Sequence, residues 1–172
     1  MEYVVESAMK FGPFCSEALL QIEKVPQYTE IQHGMHISEF IYYDKDKNRI
    51  ISLEAKTTAP NPNSQNVENP KVKFQEYIDD IKEKFENSLD LYVNMALKKE
   101  VPMGFRDIDY KKIEIYFILV IKNHEKLWLK DVKDALEMAV KKAHRTNKIW
   151  NCKVLVINEE IAKRNHIIVS DW

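Results

Sequence analysis

An unbroken apolar run near the middle of the chain constrains the fold more than any other feature. Residues 115–121 are all apolar, and in the surrounding segment 111–122 both alternating sets of side chains are mostly apolar. Because strand side chains alternate between the two faces of a sheet, this run predicts a central strand that is covered on both sides. The run is far too short to cross a bilayer, so no membrane partner is expected.

Helix and strand patterns alternate on both sides of this run. Asn69-Pro70 is a favourable helix start, with Asn as N-cap and Pro at the first helical position. The expected elements are helices at 14–24, 69–99, 125–145 and 159–164, and strands at 27–32, 35–43, 49–57, 111–122 and 153–158. This order predicts an α/β fold with a mixed central β-sheet flanked by helices, formed by residues 1–172 as a single domain.

Composition and cysteine usage narrow the class of protein. The chain has 172 residues and a formal net charge of -1, which argues against a strongly basic nucleic-acid wrapping protein. Cys15 and Cys152 lie far apart without CxxC partners, which predicts reduced thiols. The N-terminus lacks the basic and apolar stretches of a signal peptide, so a cytoplasmic location is expected.

The end of the strand at 49–57 carries the strongest chemical signal. Glu54 and Lys56 project from the same face of this strand, because they are two residues apart. If the preceding polar segment is a hairpin turn centred between Asp46 and Lys47, Glu39 falls directly opposite Glu54. A slip of one residue would move Glu39 to the other face, so the pair depends on the register.

Two neighbouring carboxylates beside a lysine suit the hydrolysis of a phosphodiester. The carboxylates can hold Mg²⁺ or Mn²⁺, and the metal activates a water molecule and offsets charge on the phosphate oxygens. The ammonium group of Lys56 can orient that water or stabilise negative charge. The residues therefore predict catalytic roles for Glu39, Glu54 and Lys56, with the two glutamates as metal ligands.

Glu39 followed by Glu54-Ala55-Lys56, in this order of elements, resembles the PD-(D/E)XK nuclease superfamily, which has the restriction-endonuclease-like fold. The resemblance implies an α-β-β-(β)-α-β core with an additional helix and strand, and a metal-dependent nuclease activity. Such families often carry a further acid on the first helix, for which Glu17 is the first candidate and Glu23 the second. The chain departs from the family motif in having Ser38 before the leading acid, and Glu rather than Asp at that acid.

Two alternatives remain open on the sequence alone. The chain could be a catalytically inactive nuclease-like module that binds protein or nucleic acid within a larger assembly. Alternatively, Glu39, Glu54 and Lys56 could form an ordinary cross-strand charge cluster on a solvated face. The small size and near-neutral charge favour a second copy or a partner protein in either nuclease-like case.

Basic residues are concentrated in the second half of the chain. Segment 111–153 holds eleven basic residues against five acidic ones, which predicts a surface that attracts phosphate. Lys130 and Lys133 on the helix at 125–145 are candidate nucleic-acid contacts, and Lys84 with Ser88 on the preceding helix could line the cleft. The expected partner is nucleic acid, DNA in preference to RNA. The polar loop at 57–70 is long enough to be functional.

Overall fold

The computed structural model describes residues 1–31, 33–106, 108–143 and 145–169. Its strands and helices, in chain order, are β1 (Glu2–Glu6), β2 (Met9–Phe14), β3 (Leu19–Leu20), α1 (Pro26–Ile31), β4 (Phe40–Asp44), β5 (Arg49–Lys56), α2 (Pro70–Leu97), β6 (Glu114–Ile121), α3 (Leu129–Lys142), β7 (Lys153–Asn158) and α4 (Glu159–Arg164). Along the chain, three short strands and a short helix precede the β4–β5 hairpin, and helices and strands then alternate to α4.

A five-stranded mixed sheet in the order β3-β4-β5-β6-β7 organises the molecule. The strands β3, β4 and β5 pair antiparallel, whereas β5, β6 and β7 pair parallel, with α2 and α3 as the crossover helices. The prediction of a mixed sheet flanked by helices is confirmed. Among the described helices, none combines the length and the apolar character needed to cross a membrane.

The central strand β6 is covered on both faces, as its sequence predicts. On one face Phe117 stacks on Phe85 of α2, with ring centroids 4.7 Å apart and ring planes within 2°. On the other face Ile118 and Val120 pack in a second apolar cluster with residues of the β1–β2 hairpin and with Ala162 of α4. The sheet therefore has the two long helices on one side and the hairpin and α4 on the other.

The β4–β5 hairpin has the predicted register. Tyr43 pairs with Ile50 and Phe40 pairs with Leu53, with the turn between Asp44 and Arg49. Just before β4, the backbone N–H of Glu39 donates to the carbonyl of Leu53 at 3.0 Å. The hairpin therefore carries Glu39 to the end of the sheet at which β5 finishes.

The N-terminal predictions are wrong in two places. The expected helix at 14–24 is instead the short strand β3 between 3-10 turns at Ser16–Ala18 and Ile22–Lys24. Leu19 and Leu20 are buried in the apolar clusters on opposite faces of the sheet, which is the two-residue period of a strand. The expected strand at 27–32 is the helix α1, which begins at Pro26 because Pro is well suited to the first helical position; Gln32 lies outside the described residues.

Several other boundaries move. The strand expected at 35–43 begins only at Phe40, and the helix expected at 125–145 is a 3-10 turn at Lys126–Trp128 followed by α3, with His144 outside the described residues. The central strand begins at Glu114, later than expected. Asn69 precedes α2 as predicted, but it has φ 50° and ψ 53°, and its side chain makes no capping hydrogen bond with the residues that the structure describes.

Candidate functional site

Glu54 lies at the centre of a charged cluster at the carboxyl end of β5. Its side chain is 0 % exposed. Its Oε1 accepts a hydrogen bond from Lys84 Nζ at 2.8 Å and lies 3.0 Å from Lys56 Nζ. Burying a carboxylate is costly unless cations and hydrogen bonds compensate it, and these two ammonium groups provide that compensation for Glu54.

The second oxygen of this carboxylate is unusual. Glu54 Oε2 is buried and has no hydrogen-bond partner within the part of the chain that the structure describes. The hydroxyl group of Tyr77 on α2 is likewise buried without a partner in the described residues. Burial and, after it, the charge of Glu54 raise the pKa of Tyr77. An unsatisfied buried carboxylate oxygen costs about 1–3 kcal/mol, which makes Oε2 a position where a cation or donor would be favourable.

Glu39 faces the same side of the sheet as Glu54. It shares this side with Ile41 and Tyr43, two and four residues later, which pack against the helices. Burial, and then the charges of Glu54 and Glu6, raise the pKa of Glu39 to about 8, although Lys84 opposes this shift. At neutral pH the Glu39 carboxyl group therefore holds a proton that a bound cation would displace.

Glu6 is a third carboxyl group at this site, and the sequence analysis missed it. It ends β1, next to the hairpin turn where Ser7 Oγ donates to the carbonyl of Ala55 at 3.0 Å. Burial and the charges of Glu23 and Glu54 raise the pKa of Glu6, whereas Lys24 and a hydrogen bond with the Glu39 side chain lower it. The tip of the β1–β2 hairpin therefore contacts Ala55, which lies between Glu54 and Lys56, and this contact places the carboxyl group of Glu6 at the site.

Asp80 on α2 is a further acid that the sequence analysis did not assign to the site. Its Oδ2 lies 3.8 Å from Lys56 Nζ, and its Oδ1 lies 3.9 Å from His36 Nδ1. Asp80 and Lys84 are one helical turn apart, so they present an acid and a base from the same face of α2. The i,i+4 spacing of these residues was a signal, but similar pairs are common on solvated helices.

A cluster of three buried serines holds the chain just before Glu39. The Ser38 N–H donates to Ser88 Oγ at 2.7 Å, and Ser38 Oγ donates to the same atom at 2.9 Å. Ser38 Oγ also shares a hydrogen bond of 2.7 Å with Ser52 Oγ on β5. Ser88 is 0 % exposed, so the prediction that it lines the cleft is wrong: it positions the segment that carries Glu39.

Glu17 does not approach this cluster. It is exposed in the 3-10 turn that precedes β3. Because Leu19 pairs with Tyr42 and Leu20 with Ile41, the chain before β3 runs toward Asp44 and away from Glu39. Glu23, the second candidate, lies at the other end of β3 and is among the charges that raise the pKa of Glu39.

The predicted basic surface lies partly at the same edge of the sheet. Lys56 of β5 pairs with Ile121 of β6, so α3, which follows β6, begins near the end of β5. On its first two turns Lys130 is exposed and Lys133 is half-buried. Lys84 Nζ donates to Glu54 Oε1, and its contact with nucleic acid stays a prediction. Burial lowers its pKa, but the charge and hydrogen bond of Glu54 hold it above the usual value.

The donor set suits a hard divalent cation. Mg²⁺ is usually held by one or two carboxylates, with water and substrate phosphate oxygens at its other positions. Glu54 Oε2 supplies one such ligand, and Glu39 could supply a second once a bound cation displaced its proton. Within the described ranges, no group of three or more His, Cys, Asp or Glu side chains is arranged to hold a metal ion as it stands. A cation at Glu54 Oε2 and Glu39 would take its other ligands from water and from substrate.

Comparisons of this chain with protein-family models, with curated proteins and with solved structures found no match.

Proposed function

We propose that the chain is a Mg²⁺- or Mn²⁺-dependent nuclease that hydrolyses phosphodiester bonds, with DNA preferred to RNA. The observation that carries this proposal is the fully buried Glu54, which has one oxygen on two lysines and the other without a partner among the described residues. A structural ion pair gains nothing from leaving that oxygen unsatisfied. A cation site gains a ligand from it.

The order of the later elements supports a restriction-endonuclease-like core. Glu39 immediately precedes β4, and the antiparallel strand β5 carries Glu54 and Lys56; α2 then leads to β6, which is parallel to β5. The helix expected at 14–24, which would be the first helix of such a core, is instead β3 with its flanking 3-10 turns. The proposal therefore rests on the elements from β4 onward.

The residues have separable roles in this proposal. Glu39 and Glu54 would hold the cation, and the cation would lower the pKa of a bound water and offset charge on the phosphate. Lys56, with Nζ 3.0 Å from Glu54 Oε1 and 3.8 Å from Asp80, is 28 % exposed and can donate to water or to a phosphate oxygen. Lys84, whose side chain is mostly buried, compensates the charge of Glu54 from the protein interior.

One observation favours a second candidate, the non-catalytic nuclease-like module. Lys56 and Lys84 already neutralise Glu54 without a cation, as a degenerate site would require. Such a module would bind nucleic acid or protein through the same edge of the sheet, without cleavage. The two candidates differ in whether the chain cleaves nucleic acid when a divalent cation is present.

Cleavage assays on single-stranded and duplex DNA and RNA test the proposal. The wild-type chain is expected to cut DNA in Mg²⁺ or Mn²⁺ and to lose this activity in EDTA. Lys56→Met should lower the rate by about a hundredfold or more, because it removes a charge-stabilising donor. Lys47→Met is the matched control, since Lys47 is a lysine of the same hairpin that is 64 % exposed and paired only loosely with Asp44. Metal-dependent cleavage that survives in Lys56→Met, or no cleavage of any substrate by the wild-type chain, would refute the assignment.

A further inference from the structure

A small cavity opens beside the proposed site, between the loop that follows β5 and the start of α3. Its volume is about 180 Å³. Its walls combine aromatic rings with amide and carboxylate groups, and the residues that matter here are Asn61, Asn63, Phe74, His124, Trp128 and Asp131. This size lies below the roughly 300–1,000 Å³ of pockets for drug-sized ligands, and it suits a single flat ring system.

Backbone hydrogen bonds tie the cavity wall directly to the end of β5. The N–H of Lys122 donates to the carbonyl of Lys56 at 2.9 Å, and the N–H of Asn123 donates to the carbonyl of Thr57 at 2.9 Å. His124, which lines the cavity, is the next residue. The cavity therefore lies a few residues from Lys56, on the order of 10 Å at 3.8 Å per Cα step.

The wall chemistry suits a nucleobase. Trp128 is 46 % exposed although it is large and apolar, and the His124 ring contacts it edge-on with ring centroids 6.3 Å apart. An exposed indole ring provides a face on which a base can stack, as in many proteins that bind single strands. Asp131 and the side chains of Asn61 and Asn63 supply acceptors and donors for the edge of a base.

We propose that this cavity receives one nucleobase of a single-stranded or locally unpaired segment, next to the phosphate that a cation at Glu39 and Glu54 would hold. This inference rests on the proposed function and narrows its substrate class. A base inside a duplex is stacked on both sides, so it enters a pocket only after it has left the stack. The chain therefore prefers single strands, unpaired ends or flaps to intact duplex.

Binding of a short fluorescently labelled DNA strand, measured by anisotropy in EDTA and low salt, tests the inference without metal or cleavage. Trp128→Ala is expected to weaken binding by about fivefold or more, since stacking on an aromatic residue contributes that much per base. Trp128→Phe, which keeps a ring, should recover most of the affinity. Tyr3→Ala is the matched control, because Tyr3 is also 46 % exposed but lies on β1, outside the cavity wall.

A strand of the same length made entirely of abasic sites separates stacking from general damage to the protein. On this strand the wild-type chain and Trp128→Ala should bind equally, and more weakly than the wild-type chain binds the base-bearing strand. The inference would be overturned if Trp128→Ala lost the same affinity for both strands or lost none for either. It would also be overturned if the wild-type chain bound duplex more tightly than single strand. Metal-dependent cleavage with unchanged binding in Trp128→Ala would refute the base pocket and leave the nuclease proposal standing. Strand binding that depends on Trp128, in a chain that cleaves no substrate, would refute the nuclease proposal and leave the base pocket standing.

Discussion

Lys84→Met is expected to lower the free energy of unfolding by about 3–5 kcal/mol, because it leaves a buried carboxylate without its closest cation. Lys84 Nζ lies 2.8 Å from Glu54 Oε1, and the lysine side chain is only 14 % exposed. Lys56 remains 3.0 Å from the same oxygen, but it is twice as exposed and cannot supply the lost hydrogen bond from α2. Chemical denaturation at pH 7 measures the loss.

Glu54→Gln in the Lys84→Met background provides the critical comparison. If the cost arises from an uncompensated charge, removing that charge should restore much of the stability, and the double-mutant cycle should give a coupling free energy of about 1–3 kcal/mol. Lys73→Met, at an exposed position on α2, is the matched control and should change stability little. A small effect of Lys84→Met, with salt-dependent weakening of DNA binding instead, would restore the sequence-based role of Lys84 as a surface contact.

Glu39→Gln is expected to make the metal-free protein more stable than the wild-type chain at alkaline pH. The pKa of Glu39 is raised to about 8 in the folded protein, first by burial and then by Glu54 and Glu6, with Lys84 opposing and Glu23 adding to the shift. Between the ordinary carboxyl pKa and about 8, the folded chain keeps a proton that the unfolded chain has released. The wild-type free energy of unfolding therefore falls as the pH rises through this window.

Denaturation in EDTA at pH 5.5, 7 and 8.5 measures this difference. The stability difference between Glu39→Gln and the wild-type chain should grow with pH and level off above about 8, because the uncharged amide does not titrate. Glu17→Gln removes an exposed carboxylate at the other end of the β3–β4 pair and should leave the pH profile unchanged. A stability difference that does not vary with pH would show that Glu39 is charged and solvated in the metal-free protein.

The half of the site on the β4–β5 hairpin was predictable from the sequence because local rules determine it. The polar turn between two apolar strands sets the register, and the two-residue period then places Glu39, Glu54 and Lys56 on one face. The central strand β6 and the helix α2 were also predictable, since long apolar patterns with a clear period are strong signals.

The contribution of the N-terminal hairpin was not predictable. Its turn residues Ser7 and Ala8 have φ of 49° and 55°, although the usual signal for such a turn is Asn, Asp or Gly. Without that signal the sequence does not predict the β1–β2 hairpin, and it therefore does not predict that Glu6 lies close to Glu39. The strand β3 was missed for a related reason: only two residues, Leu19 and Leu20, carry its pattern.

Lys84 and Asp80 were ambiguous because a helix presents many charged side chains, and only the packing of α2 on the sheet selects those that reach Glu54 and Lys56. The serine cluster was also hidden in the sequence. Ser38, Ser52 and Ser88 come from three separate segments, and each one alone is typical of an exposed position.

Crystals of the chain soaked in Mn²⁺, with the ion located by its anomalous scattering, would show whether Glu54 and Glu39 bind a divalent cation. A peak is expected about 2.1 Å from Glu54 Oε2, within reach of Glu39, at a Mn²⁺ concentration that supports cleavage. If this Mn²⁺ peak is absent from crystals of Glu54→Gln, which keeps the shape of the side chain, Glu54 is identified as a ligand of the ion. Density for Mn²⁺ only at other acids, or none at Glu54 at a Mn²⁺ concentration at which DNA is cleaved, would refute the proposed metal site.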